Sequence, residues 1–216
     1  MSASVDAAGF VLAGGRSSRM GAEKALVELA GEPLIVHAVR ILRRAGLAVS
    51  IAGARLPLES FAPVVPDAEP DRGPLGGICA ALASTTASRA VFLPVDMPLL
   101  PPELVGFLLK EALREQAVAT VFALNGYAQT FPAVVDRAAL PWLHVALESG
   151  RGGCYEAFQL AATALRQPVH VAPVEDAVTE ARLARLEALP VENWFLNVNE
   201  PADLAQAETW LAGRGA

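Results

Sequence analysis

The residues best suited to chemistry lie in one stretch, Phe10 to Lys24, reading FVLAGGRSSRMGAEK. The apolar run Phe10 to Leu12 stops at Ala13-Gly14-Gly15, and a short apolar run bounded by glycine is the pattern of a buried strand. Glycine accepts positive φ and lets a ligand approach the backbone closely. Successive backbone N–H groups in such a loop form a concave anion site. Arg16, Arg19 and Lys24 add positive charge to the same loop. Bare backbone and clustered cations together are what a polyphosphate requires. The stretch is not a Walker loop, because no Lys-Ser or Lys-Thr directly follows Gly21, and the G-x-G-x-x-G dinucleotide fingerprint is absent.

Two further stretches carry candidate chemistry. Asp96 ends the apolar run Ala90 to Val95, reading AVFLPV. A carboxylate at the end of a buried strand costs free energy unless it is paired or bound to a metal. Mg²⁺ is commonly held by one or two carboxylates together with substrate phosphates, so a single Asp beside a phosphate loop suits it. Spacing alone leaves a second role open for Asp96, the N-cap of a following Pro-led helix. Asn197 and Asn199 sit in NVNEPADL near the end of the chain, where turn and cap chemistry is the competing role.

These stretches need elements to position them. Apolar residues at helical spacing predict a helix over 34–46, opened by Pro33 and stopped by Gly46. Strands are expected at 49–52 and 63–65, then a loop over 66–74 holding Asp67, Glu69, Asp71 and Arg72. The sequence GPLGG at Gly73 to Gly77 opens an apolar helix. Residues 90–95 read as a strand buried on both faces, and a helix follows from Pro101. Strands at 118–123 and 130–135 flank the turn Asn125-Gly126. Helices are expected at 140–149 and 155–165, joined by the Gly150 to Gly153 loop. A strand at 169–172, a helix at 179–189, a strand at 194–196 and a helix at 202–211 complete the chain. Alternation of strands and helices argues a parallel sheet with helices on both faces. Ligands of such sheets sit beyond the carboxyl ends of the strands. The loops at 13–24, at Asp96 and at 197–199 all leave such ends, so they are expected to converge.

Composition bounds the reading. The chain has 216 residues, of which 53% are hydrophobic and 19% charged, with a net charge of -6. That suits one α/β domain over 1–216 with a large core and excludes a chain-wide basic footprint for nucleic acid. Cys79 and Cys154 belong to no metal-spaced cluster and read as small buried residues. No apolar run is long enough to span a bilayer. Reduced thiols suit a cytoplasmic protein, and the N-terminus, without a positive region, does not read as a signal peptide. His37 is expected to be a packed or solvated side chain rather than a ligand.

The stretch LAGGRSSRMGAEK resembles the signature loop of the MobA-like nucleotidyltransferases, and its Gly-Gly form is similar to that of the molybdenum cofactor guanylyltransferases. Related cytidylyltransferases usually carry Ala-Gly there. GPLGG resembles the family's GPLAG loop, and NVNEPADL its NVNTPEDL. The resemblance implies a three-layer αβα sandwich with a mainly parallel, Rossmann-like sheet and a small antiparallel element, for which 118–135 is the candidate. It implies transfer of GMP from Mg-GTP to the phosphate of molybdenum-molybdopterin, with release of pyrophosphate. Lys24, Arg19 and Asp96 would be catalytic, with Asp96 holding Mg²⁺. Leu12, Ala13, Gly14, Gly15, Lys24, Asp67, Gly73, Gly77 and Asp96 would contact the nucleotide, with Asp71 a substitute for Asp67. Asn197 and Asn199 would lie on the acceptor side. The implied partners are GTP, molybdenum-molybdopterin and other cofactor-biosynthesis proteins, with neither nucleic acid nor membrane.

The chain departs from the family pattern in its middle. Ala54 precedes Arg55 where the family usually has Asn, Gln129-Thr130-Phe131-Pro132 replaces Gln-Pro, and the loop GRGG at Gly150 to Gly153 is unusual. The alternatives are the same chemistry with CTP or a sugar phosphate, or a nucleotide-binding module without catalysis. Retention of both Lys24 and Asp96 argues against the module.

Overall fold

Neighbouring residues of the first strand point to opposite layers. Val11 and Ala13 pack into one apolar core, Phe10 and Leu12 into another, and all four are buried. This is the two-residue period of a strand covered on both faces. The structure is a computed structural model that describes residues 6–14, 23–53, 58–67, 72–150, 153–180 and 190–213. Its strands are β1 (Ala7–Leu12), β2 (Glu28–Leu29), β3 (Glu32–Pro33), β4 (Ala48–Ala52), β5 (Val64–Val65), β6 (Arg89–Pro94), β7 (Ala119–Leu124), β8 (Tyr127–Asp136) and β9 (Val169–Pro173). Its helices are α1 (Leu34–Arg44), α2 (Gly73–Ser84), α3 (Pro102–Arg114), α4 (Leu140–Ser149), α5 (Cys154–Leu165), α6 (Val174–Glu180), α7 (Val191–Trp194) and α8 (Pro201–Gly213).

Among the described residues the main sheet has seven strands, in the order β5-β4-β1-β6-β8-β7-β9. β1 pairs in parallel with β4 on one side, Leu12 opposite Ala52, and with β6 on the other, Leu12 opposite Pro94. The chain first winds outward through β4 and β5, then crosses β1 to place β6. Strand order therefore reverses at β1, which is where open sheets of this kind form their ligand crevice. Residues of α1 and α3 pack in the core that contains Val11, and those of α2, α4 and α5 in the core that contains Phe10. These are the three layers expected from the sequence.

The antiparallel element falls where it was expected but is part of the main sheet. β8 runs antiparallel to both β6 and β7. The turn that reverses it has Asn125 at φ +52° and Gly126 at φ +80°, the tight hairpin geometry that Asn-Gly favours. A second hairpin, β2 with β3, turns through Ala30 at φ +52° and Gly31 at φ +81°. Its strands have two residues each and one ends in proline, too short for an alternation to register.

One expectation near the C-terminus is corrected. Residues 194–196 form no strand: Pro190 caps the single helical turn α7, and Trp194 and Phe195 bury their rings in the core. Three consecutive apolar residues fit a buried strand or a buried helical turn equally well, and proline tips the balance. Of the helix expected over 179–189, the described residues Thr179 and Glu180 end α6, whose first turn carries Glu175 and Asp176, favourable to the helix dipole. Residues 181–189 lie outside the described residues. His37 is buried and packed, with its Nε2–H donating to the Leu29 carbonyl at 2.9 Å. Among the described residues, no helix is long and apolar enough to cross a membrane.

Cys79 on α2 and Cys154 on α5 are buried in the same core. Burial pushes the Cys79 thiol up to about 11. Burial first, then the nearness of Cys79 and of Glu156, pushes Cys154 up to about 12. Both values exceed the ordinary 9.0, so the unfolded chain ionises its thiols at lower pH than the folded one. The associated stability is complete below pH 9 and is lost as pH rises toward 11 or 12. Neither thiol is expected to react with Ellman's reagent at pH near 8 until denaturant is added. Rapid reaction of the folded protein would overturn the burial argument.

Candidate functional site

At the carboxyl end of the sheet, the backbone ladders run one residue past the strands. Ala13 N–H donates to the Ala52 carbonyl at 2.9 Å, and Val95 N–H to the Leu12 carbonyl at 3.1 Å. The ends of β4, β1 and β6 are thereby held level. Gly14 then passes so close to Gly53 that a Cβ on it would lie 2.7 Å from the Gly53 carbonyl oxygen. Because the obstacle is backbone, only glycine fits at position 14 without a shift of the chain. Gly53 itself has φ +74°. Gly77 of α2 faces the same corner, where a Cβ would meet Leu12 at 3.5 Å, Asp67 Oδ1 at 3.6 Å and Gly53 N at 3.7 Å. Leu12, Gly14, Gly53, Asp67 and Gly77 thus share one corner of the crevice. Gly73 opens α2 at φ +69° with open space where a Cβ would be.

A second group of side chains meets across far larger sequence separations. Lys24 begins a short 3-10 turn, Lys24–Leu26. Its Nζ donates to Asp96 Oδ2 at 2.7 Å and to Asn199 Oδ1 at 2.5 Å. The loop carrying Asn199 is fastened to the end of β6 by Val198 N–H donating to the Asp96 carbonyl at 2.9 Å. The side chains of Lys24 and Asp96 are 18% and 19% exposed, so the pair is partly sheltered from solvent. Lys24, Asp96 and Asn199, one residue from each of the three stretches expected to converge, meet at this point.

Asp96 is not a helix cap. α3 begins at Pro102 and its N-cap is Pro101, five positions further on. Lys24 takes one carboxylate oxygen of Asp96, while Oδ1 is buried and has no hydrogen-bond partner among the described residues. A desolvated carboxylate oxygen left bare is costly, and a hard divalent cation is the group that relieves it. Among the described residues no group of three or more His, Cys, Asp or Glu is placed to hold a metal. A cation at Asp96 would need further oxygen ligands, which a bound phosphate and water could supply.

Asn197 is exposed and donates to the Phe195 carbonyl at 3.4 Å. Gly15, Arg16, Arg19, Ala54, Arg55 and Asp71 lie outside the described residues. Two residues not singled out from the sequence belong to the site. Gly53 makes the close pass with Gly14, and Asp203 accepts from the Asn199 backbone at 2.8 Å. The signal for Asp203 was present, since an acid at the third position of a helix reaches back to its cap.

Residues 9–168 match the family model of the MobA-like NTP transferase domain. The chain belongs to this family. A nucleotidyltransferase needs a cation and a carboxylate at one strand switch, and Lys24 and Asp96 meet there. A molybdenum cofactor guanylyltransferase from Rhizobium rhizogenes is 36% identical, over 94% of this chain and 91% of that protein. Among solved structures, molybdopterin-guanine dinucleotide biosynthesis protein A from Archaeoglobus fulgidus superposes with a TM-score of 0.75 at 24% identity, covering 94% of this chain and 98% of that one. The 2-C-methyl-D-erythritol 4-phosphate cytidylyltransferase from Thermus thermophilus shares the fold with a TM-score of 0.64 at 17% identity, again over 94% and 98%. The same MobA-like scaffold thus resembles proteins named for different bases and acceptors, and the site must supply the distinction.

Proposed function

We propose that this nucleotidyltransferase moves GMP from Mg-GTP to the phosphate of molybdopterin carrying molybdenum and releases pyrophosphate. The observation that carries the reading is the Lys24, Asp96 and Asn199 cluster with its bare carboxylate oxygen, set at the switch point of the sheet. The name of the Rhizobium rhizogenes relative, similar along nearly its whole length, supports the choice of nucleotide and acceptor.

An oxygen of the acceptor phosphate attacks the α-phosphorus of GTP, and the bond from that phosphorus to the β-bridging oxygen breaks. A phosphate monoester is largely ionised near neutral pH, so no general base is required. Catalysis then rests on positioning and charge neutralisation. Leu12, Ala13 and Gly14 would present backbone to the phosphates, and the resemblance assigns Gly15 and Arg19, outside the described residues, to the same contact. Lys24 meets the equatorial oxygens where charge builds. Asp96 would hold Mg²⁺, which when bound neutralises phosphate charge. Asp67, Gly73 and Gly77 face the nucleoside, and Asn197 and Asn199 the acceptor. Residues 1–216 act as one domain. Reduced, buried Cys79 and Cys154 fit a cytoplasmic enzyme, which would hand its product to other proteins of cofactor biosynthesis.

Pyrophosphate release with each of the four nucleoside triphosphates, with and without molybdenum-loaded molybdopterin, tests the reading. GTP with Mg²⁺ is expected to be the substrate pair, and at 100 times its Kd to stabilise the fold by about 2.7 kcal/mol. Release with CTP or a sugar phosphate instead would overturn nucleotide or acceptor. Gly77→Val tests the base side, because its branched side chain would press on Leu12 and Asp67. Calorimetry is expected to find GTP affinity reduced about tenfold or more while pyrophosphate affinity holds. Equal losses for both ligands would mean that only the start of α2 was disturbed.

A further inference from the structure

The carboxylate of Asp203 serves two backbone groups. Its Oδ2 accepts the Glu200 N–H at 2.9 Å and the Asn199 N–H at 2.8 Å. Asp203 is the third residue of α8, and an acid there that reaches back to the residue before the helix is half of a capping box. The Glu200 bond alone fulfils that function. The Asn199 bond lies one residue upstream, on the residue whose amide oxygen takes the Lys24 ammonium. One residue further back, Val198 donates to the Asp96 carbonyl. The bonds close a ring that runs from the Asp96 backbone through Val198 and Asn199 to Lys24 and back to the Asp96 carboxylate. Asp203 ties this ring to α8.

A lysine side chain is long and flexible, and one acceptor leaves its head free to pivot. Two acceptors fix it, provided that both are themselves fixed. Asp96 stands at the end of a buried strand, but Asn199 is exposed on a loop and depends on its backbone bonds. We infer that Asp203 is a positioning residue for the transfer reaction. Acting through Asn199, it holds the Lys24 ammonium at the place where phosphate charge develops. The catalytic half of this inference rests on the role given to Lys24 above.

Two readouts test it. The chain contains two lysines, Lys24 and Lys110. Lys110 is 70% exposed in its side chain and serves as an internal reference. Trace acetylation with acetic anhydride, followed by mass spectrometry, is expected to label Lys24 more slowly than Lys110 in the wild-type protein. Asp203→Ala is expected to raise the Lys24 rate several-fold and leave Lys110 unchanged, while Asp203→Asn, which keeps an acceptor oxygen, stays near wild type. In pyrophosphate-release assays Asp203→Ala is expected to lower kcat about tenfold, the scale of one lost hydrogen bond, with KM for GTP held within about twofold. In a Lys24→Ala background the same substitution is expected to cost no further kcat, because the two act as one unit. A lower melting temperature with unchanged Lys24 labelling would reduce Asp203 to a helix cap, and so would an equal loss of kcat with Lys24 absent. If the wild-type protein does not turn over GTP with molybdopterin, the function reading fails, and the labelling comparison still decides the role of Asp203. Should Asp203→Ala not fold, Asp203→Glu keeps the charge at the helix start, displaces the oxygens by one carbon and carries the same comparison.

Discussion

Asp96→Asn is expected to lose on the order of 10²-fold or more in kcat while the fold persists, the scale of removing one preorganised electrostatic group. The substitution keeps the shape of the side chain and removes its charge. Lys24 then loses its ionic partner at 2.7 Å, a partly sheltered contact worth about 1 kcal/mol. For a chain of this length that lowers Tm by only about 2–4 °C. Binding should change in a more telling way. With the charge on Asp96 gone, GTP affinity should no longer depend on Mg²⁺. Metal-free GTP should bind the variant at least as tightly as the wild-type protein, because the Lys24 ammonium is no longer drawn to a carboxylate. Titration with GTP in the presence of EDTA and of Mg²⁺ measures both. Unchanged activity and unchanged Mg²⁺ dependence would remove Asp96 from the mechanism. No helix-cap role is left to explain its placement, since the cap of α3 is Pro101.

What was legible in the sequence was whatever a local pattern encodes. The apolar run at Phe10, the helical spacing from Leu34, the Asn125-Gly126 turn and the unalternating run before Asp96 each read correctly from a dozen residues or fewer. The meeting of the loops followed from a general property of parallel sheets and not from the loops themselves. Contacts between distant residues were not legible. Lys24 and Asn199 are 175 positions apart, and no spacing rule joins them. The pass of Gly14 over Gly53 is invisible for the same reason, since each glycine alone reads as an ordinary turn. Trp194 to Leu196 failed differently. The apolar content was read correctly, but extended and helical burial look alike over three residues.

Lys24→Ala is expected to separate catalysis from binding. In the proposed reaction the ammonium meets the α-phosphate, where charge grows during transfer. An interaction stronger in the transition state than in the ground state appears in kcat rather than in KM. The variant is therefore expected to lose about 10²-fold or more in kcat, with KM for GTP little changed. Arg19→Ala should do the opposite, because a charge that holds the β- and γ-phosphates in both states contributes uniform binding. The structure adds a constraint on the metal. In the wild-type protein Lys24 occupies Asp96 Oδ2, while Oδ1 has no partner among the described residues. Removing the ammonium leaves both oxygens to a cation, so Mn²⁺ affinity, measured by the loss of the free-ion EPR signal, is expected to hold or rise as kcat falls. A variant in which kcat and metal affinity fell together would make Lys24 a support for the metal site rather than a partner of the phosphate. A change in KM alone would make it a binding residue. Only a fall in kcat at preserved KM and preserved metal affinity assigns the ammonium to the reacting phosphate, and it does so whichever acceptor the enzyme uses.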